Sequence, residues 1–109
     1  MILVTGATGT VGREVTGQLV ATGEQPRVLV RNREKARRLL GERVEYVTGD
    51  LDRSETLAAA LAGVDRVFLV TRQSSRQLDQ ELSVIRAASR AGVGSLVKLS
   101  VFRADERSP

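Results

Sequence analysis

A chain of 109 residues is long enough for one core, burying about 60–70% of its unfolded surface, and it contains neither Cys nor His. That composition excludes disulfides, thiolate and imidazole metal sites and the commonest general base, so no metal centre is expected. The net charge of +4 is local: residues 27–43 carry +5 and the remainder −1, which suits a small polyanion at least as well as a nucleic acid, and an aromatic content of 3% leaves no stacking platform for single strands.

The chain opens on Ile2-Leu3-Val4, a short apolar run of the kind that forms a strand buried on both faces. It reads as a strand rather than a secretory leader, and no run approaches the ~20 residues of a membrane span, so a soluble, cytoplasmic protein with no membrane association is expected. Val11, Val15 and Leu19 then recur at i, i+4, i+8 as one face of a helix that Gly23 stops. Val28-Leu29-Val30 is a second strand, followed by a helix over Arg33–Leu40. Val44–Val47 alternates with Glu45 outward and predicts a half-exposed edge strand. Ser54 precedes a helical run as its N-cap, and Gly63 follows Leu61 as a stop. Val67–Val70 is a fourth strand, and Leu78, Leu82 and Ile85 mark the apolar face of a long helix ending at Gly92. Leu96–Leu99 closes the series as an interior-type strand.

Alternating strands and helices define an α/β fold, a doubly wound parallel sheet, and right-handed crossovers with a switch after strand one predict the order 3-2-1-4-5. This order leaves the interior-type fifth strand at an edge, where an unpaired ladder invites a second chain and predicts a homodimer or aggregation.

Between the first strand and helix lies Thr5-Gly6-Ala7-Thr8-Gly9-Thr10-Val11-Gly12. A helix starting there aims its free N–H groups and positive dipole end at the crevice above the sheet. A dinucleotide pyrophosphate reaches those groups only where no Cβ intervenes. Gly6 suits the tight turn, Gly9 the close approach of backbone to phosphate, and Gly12 the packing of helix on strand. No Lys-Ser/Thr pair follows, so the loop is not a P-loop. Dinucleotide-binding sheets that prefer NAD carry an acid at the end of strand two, against the ribose 2′-hydroxyl. Here Arg31 stands at that point, with Arg33 and Lys35 close behind, so a 2′-phosphate and hence NADP over NAD is expected.

The segments ILVTGATGTVG, VLVRNREKARRL, VTGDLDRSETLAAALAGVDRVFLV and AGVGSLVKLSVFRAD resemble the NmrA-like, atypical short-chain dehydrogenase/reductases over essentially the whole chain. That resemblance implies a Rossmann domain over residues 1–109, shorter at its C-terminal end than the family. It implies an NAD(P)H-dependent oxidoreductase acting on a quinone-like substrate, with a non-catalytic NADP-sensing regulator as the alternative. By the same resemblance Gly6, Ala7, Thr8, Gly9, Thr10, Val11 and Gly12 would hold the pyrophosphate, and Arg31, with Asn32 and Lys35, the 2′-phosphate. Asp50 and Leu51 would flank the adenine, although Asp50 also reads as an ordinary Asx turn. Leu69, Val70 and Thr71 would border the ribose of the nicotinamide half, with Gln77 nearby. Ser100 matches the family's frequent active-site serine; as a bare strand-end residue it equally suits a cap or turn. The Tyr-x-x-x-Lys pair of short-chain dehydrogenases is absent, and the one tyrosine, Tyr46, lies on strand three.

Overall fold

The computed structural model describes residues 1–100. In chain order it comprises β1 (Ile2–Val4), α1 (Thr10–Ala21), β2 (Arg27–Val30), α2 (Arg33–Leu40), β3 (Glu45–Thr48), a 3-10 turn (Ser54–Thr56) running into α3 (Leu57–Leu61), β4 (Arg66–Thr71), α4 (Gln77–Ala91) and β5 (Ser95–Ser100). The strands form one parallel sheet in the order β3-β2-β1-β4-β5, as predicted. The apolar runs of the three inner strands β1, β2 and β4 are covered on both sides. One core layer joins Leu3, Leu29, Val67 and Leu69 to Leu57, Leu61, Val84 and Ala88 of α3 and α4. The other joins Val4, Val28 and Val30 to Ala36, with Val15 and Leu19 of α1 packed against it. Helix on both faces and a switch between β1 and β4 open a crevice at the C-terminal ends of the strands.

The edge strands differ. β3 is half-exposed throughout, as its alternation predicts, and starts one residue later than expected, at Glu45, with Val44 buried just before it. β5 occupies the other edge, and Val97 on it is 40% exposed. The helix stops hold: Gly23, Gly63 and Gly92 all take positive φ.

Two local expectations fail for physical reasons. Ser54 does not cap a helix. The chain makes a 3-10 turn there instead, and Thr56 supplies the polar contacts: its hydroxyl donates to the carbonyls of Asp50 (3.1 Å) and Arg53 (2.7 Å) and accepts from the Asp50 N–H (3.0 Å). The apolar stripe of α4 is also displaced. Leu78, Leu82 and Ile85 are exposed, and Glu81, Val84 and Ala88 face the sheet. The reason is a buried carboxylate. Glu81 accepts from the Thr71 hydroxyl at 2.7 Å and pairs with Lys98 Nζ of β5 at 2.9 Å, so a charged residue sits stably on the inner face.

The basic segment also divides. Arg27 lies at the N-terminal end of β2, away from the crevice, paired with Glu45 and donating to the carbonyls of Ala60 and Ala62, both at 2.8 Å. Arg37, near the other end of α2, stacks on Tyr46 and pairs with Glu42. Arg31 lies at the C-terminal end of β2, with Arg33 and Lys35 on the first turn of α2.

Candidate dinucleotide-binding site

The floor of the crevice is the turn from β1 into α1. Thr5 continues the β1–β4 seam by its side chain: its hydroxyl donates to the Val70 carbonyl and accepts from the Val70 N–H, both at 2.9 Å, while its own N–H reaches the Phe68 carbonyl at 3.1 Å. Gly6 then turns the chain with φ +62°, and a Cβ there would stand 2.5 Å from the Val70 carbonyl oxygen. Gly12, in the first turn of α1, packs on the same loop. A Cβ on it would fall 1.9 Å from the Gly6 oxygen and 2.8 Å from Ala7 Cα. Both glycines therefore have reasons internal to the protein.

Gly9 has none. Its φ of −80° suits any residue, and a Cβ would meet only the Gly6 oxygen at an ordinary 3.6 Å. It is the N-cap of α1, makes no side-chain cap bond, and no acidic residue occupies the first turn. The positive end of α1 thus faces the crevice without a carboxylate of its own, across a surface left bare of side chains. Ala7 is buried beneath this loop, Thr8, Gly9 and Thr10 are exposed, and Val11 is half-buried.

On the β2 side, Arg31 is exposed immediately after the strand, and Lys35 is exposed on α2. Asn32 is the N-cap of α2, its Oδ1 accepting from the Lys35 N–H at 3.0 Å, so that oxygen is committed to the helix. The loop after β3 brings Asp50 and Leu51 to the same side. Asp50 forms an Asx turn, its Oδ1 accepting from the Asp52 N–H at 2.9 Å. Asp52 in turn accepts from Arg76 Nε at 2.9 Å and Gln80 Nε2 at 3.1 Å; the Arg76 hydrogen bond is the main cause that holds its carboxyl below the usual range.

On the β4 side, Leu69, Val70 and Thr71 are buried at the end of the strand, and Gln77 Nε2 donates to Thr71 Oγ1 at 3.2 Å. Thr71 spends its own proton on Glu81. Burial pushes the Glu81 carboxyl up, but the hydrogen bonds from Thr71 and Lys98 and the Lys98 charge outweigh it and leave the group below its usual value. The backbone of Ser100 pairs with Thr71 at the end of β5; its side chain lies outside the described residues. Tyr46 is remote in role as well as position. Its hydroxyl donates to the Gly41 carbonyl, and burial raises its pKa.

The structure thus gathers the glycine loop, Arg31, the Asp50–Leu51 turn and the β4 end around one crevice. Arg76, Asp52, Glu81 and Lys98 went unnoticed in the sequence. The available signal was a lysine inside an apolar strand and a glutamate inside a helix stripe, two opposite charges where the pattern wants apolar residues. Among the described residues no cluster of carboxylates could hold a metal ion. A groove of about 690 Å³ between α1 and the end of α2 shares only Thr10 with the glycine loop.

A parallel sheet with its switch point at a bare glycine turn defines a dinucleotide-binding module of the Rossmann type. The chain belongs to the NAD(P)H-binding family, whose model matches residues 6–109. Its relatives agree with the NmrA-like resemblance of the sequence. A (4-alkanoyl-5-oxo-2,5-dihydrofuran-3-yl)methyl phosphate reductase of Streptomyces griseus is 46% identical over 97% of this chain and 36% of its own length. An NAD(P)H azoreductase of Xenophilus azovorans is 42% identical over 100% of this chain and 38% of its own. An NADPH-dependent quinone oxidoreductase of Escherichia coli, solved with NADPH, superposes with a TM-score of 0.84 at 33% identity, covering 96% of this chain and 38% of that one. The chain therefore spans little more than a third of the length of these relatives. No helix among the described residues is long and apolar enough to cross a membrane.

Proposed function

We propose that this chain binds NADPH in the crevice and forms the cofactor-holding part of an NAD(P)H-dependent reductase acting on a quinone-like acceptor. The observation that carries the reading is Gly9: nothing inside the protein requires a glycine there, and a side chain would occupy the space above the N-terminal N–H groups of α1. The pyrophosphate lies over Gly6–Gly12, accepting from those N–H groups. Arg31 takes the 2′-phosphate, a charge-assisted contact of about 1.5–3 kcal/mol that NAD does not offer. Asp50 and Leu51 flank the adenine, and the ends of Leu69, Val70 and Thr71, steadied by Gln77, border the nicotinamide ribose.

When bound, the cofactor supplies hydride. The chain's own residues hold and orient it, because hydride transfer asks the protein mainly for position. Glu81 and Lys98 fix the end of β4 against α4 and β5, so the wall beside the nicotinamide ribose is set before the cofactor arrives.

Calorimetric titration with NADPH and NADH in one buffer tests the reading. NADPH is expected to bind at least about tenfold tighter, and Arg31→Ala to remove that margin, corresponding to the charge-assisted contact. Failure to bind either nucleotide would overturn it. NADPH oxidation with simple quinones then measures whether the chain alone supports turnover.

A further inference from the structure

The first turn of α4 reaches both walls of the crevice. Toward β4, Gln77 bonds Thr71. Toward the loop after β3, Arg76 Nε and Gln80 Nε2 both donate to Asp52 Oδ1, at 2.9 and 3.1 Å, across 24 and 28 residues of sequence. Asp52 is tied through its N–H to Asp50 Oδ1 at 2.9 Å. Asp50 is held from below, its N–H and carbonyl both bound by the Thr56 hydroxyl. The turn carrying Asp50 and Leu51 is therefore clamped from two directions, by Thr56 beneath and by α4 at the side.

Solvent screens the outer clamp: the side chains of Asp52 and Arg76 are 36% and 58% exposed, so their pairing adds little to folding. Its effect is on where the loop sits. A loop held in place before a ligand arrives spares the ligand the cost of ordering it.

We propose that Arg76 is a positioning residue for the adenine end of the cofactor, acting through Asp52 to hold Asp50 and Leu51 in place as a preformed wall. The proposal rests on the NADPH reading above. Arg31 also acts electrostatically on Asp52, so the clamped turn and the 2′-phosphate contact are neighbours.

The test is a double-mutant cycle with Arg76→Ala, Asp52→Ala and the double variant, titrated calorimetrically with NADPH and with adenosine 2′,5′-bisphosphate, melting temperature being recorded for each. Arg76→Ala is expected to weaken both ligands by the same factor, about tenfold through lost preorganisation, with little change in melting temperature. The double variant is expected to bind no more weakly than the weaker single one, because removing Asp52 already removes the route by which Arg76 acts. Three results would overturn the proposal. Arg76→Ala could bind both ligands as the parent does. It could weaken NADPH but not the bisphosphate, which would move the effect to the nicotinamide side. The losses could add in the double variant, which would place the guanidinium on the ligand itself. A parent chain that bound neither ligand would remove the cofactor reading and this inference together.

Discussion

The floor and the rim of the crevice are held by different forces. At the floor, Gly6, Gly12 and Thr5 bring backbone against backbone, with no room for an added methyl at either glycine. At the rim, Arg31 stands exposed, and Asp52 and Arg76 meet in water's reach. The floor is a problem of space, and space admits few answers. The rim is a problem of charge, which screening softens and which several side chains solve equally well. Substitutions at the floor should therefore break the protein, and substitutions at the rim should tune it.

The sharpest break is Gly12→Ala. The new methyl would fall 1.9 Å from the Gly6 oxygen, and backbone must move to admit it. A loss of about 3 kcal/mol is expected, lowering the melting temperature by roughly 12–24 °C on the scale of a 60–100-residue domain, measured by thermal denaturation.

Lys98→Met comes next. It leaves Glu81, 5% exposed, with the hydrogen bonds of Thr71 and Gln77 but no opposite charge. The expected loss is about 2 kcal/mol at neutral pH, below the range for a fully buried pair because Lys98 is half-exposed. The pH dependence gives a second readout. In the parent the Glu81 carboxyl is held below its usual value, so its contribution is full above the ordinary carboxylate range and is lost as pH falls through the folded value. Asp52 and Asp65, held low chiefly by hydrogen bonds from Arg76 and the N-terminal ammonium, act in the same direction. Without Lys98, burial at Glu81 is opposed only by the Thr71 and Gln77 hydrogen bonds, so the stability lost on mild acidification should be smaller in the variant than in the parent.

Gly9→Ala separates space needed by the protein from space needed by a ligand. Its φ and surroundings accept a methyl, so folding should change by less than ~1 kcal/mol. NADPH affinity should fall about tenfold or more, since the methyl intrudes where phosphate approaches backbone. Equal affinity in calorimetry would erase the distinction between Gly9 and its two neighbours. The smallest effect belongs to Asn32→Ala. Loss of the α2 cap should cost about 1 kcal/mol, visible in urea denaturation, while NADPH affinity stays within about twofold. A larger affinity change would return Asn32 from the helix to the cofactor.

The same division explains what the sequence revealed. Strand order and the roles of Gly6 and Gly12 were legible because connectivity rules and steric exclusion leave little freedom. The inward face of α4 was not. Leu78, Leu82 and Ile85 form the more hydrophobic stripe, yet the helix turns Glu81 inward, because its partners Thr71 and Lys98 come from other strands and cannot be seen along α4 itself. Asp50 carried two readings, and the structure realises the Asx turn while leaving its place beside the crevice intact. The Asp52–Arg76 contact spans 24 residues with no periodic signature, and only the folded chain brings it together.

Thr5 has one more consequence. A strand that bends into a loop normally leaves its neighbour's facing amide free to breathe, but the Val70 N–H and carbonyl are both taken by one threonine hydroxyl. Val70 should therefore exchange its amide hydrogen slowly, with global rather than local unfolding, although it lies at the mouth of the crevice. The seam beneath the crevice has thus given up its entropy during folding, before any nucleotide arrives.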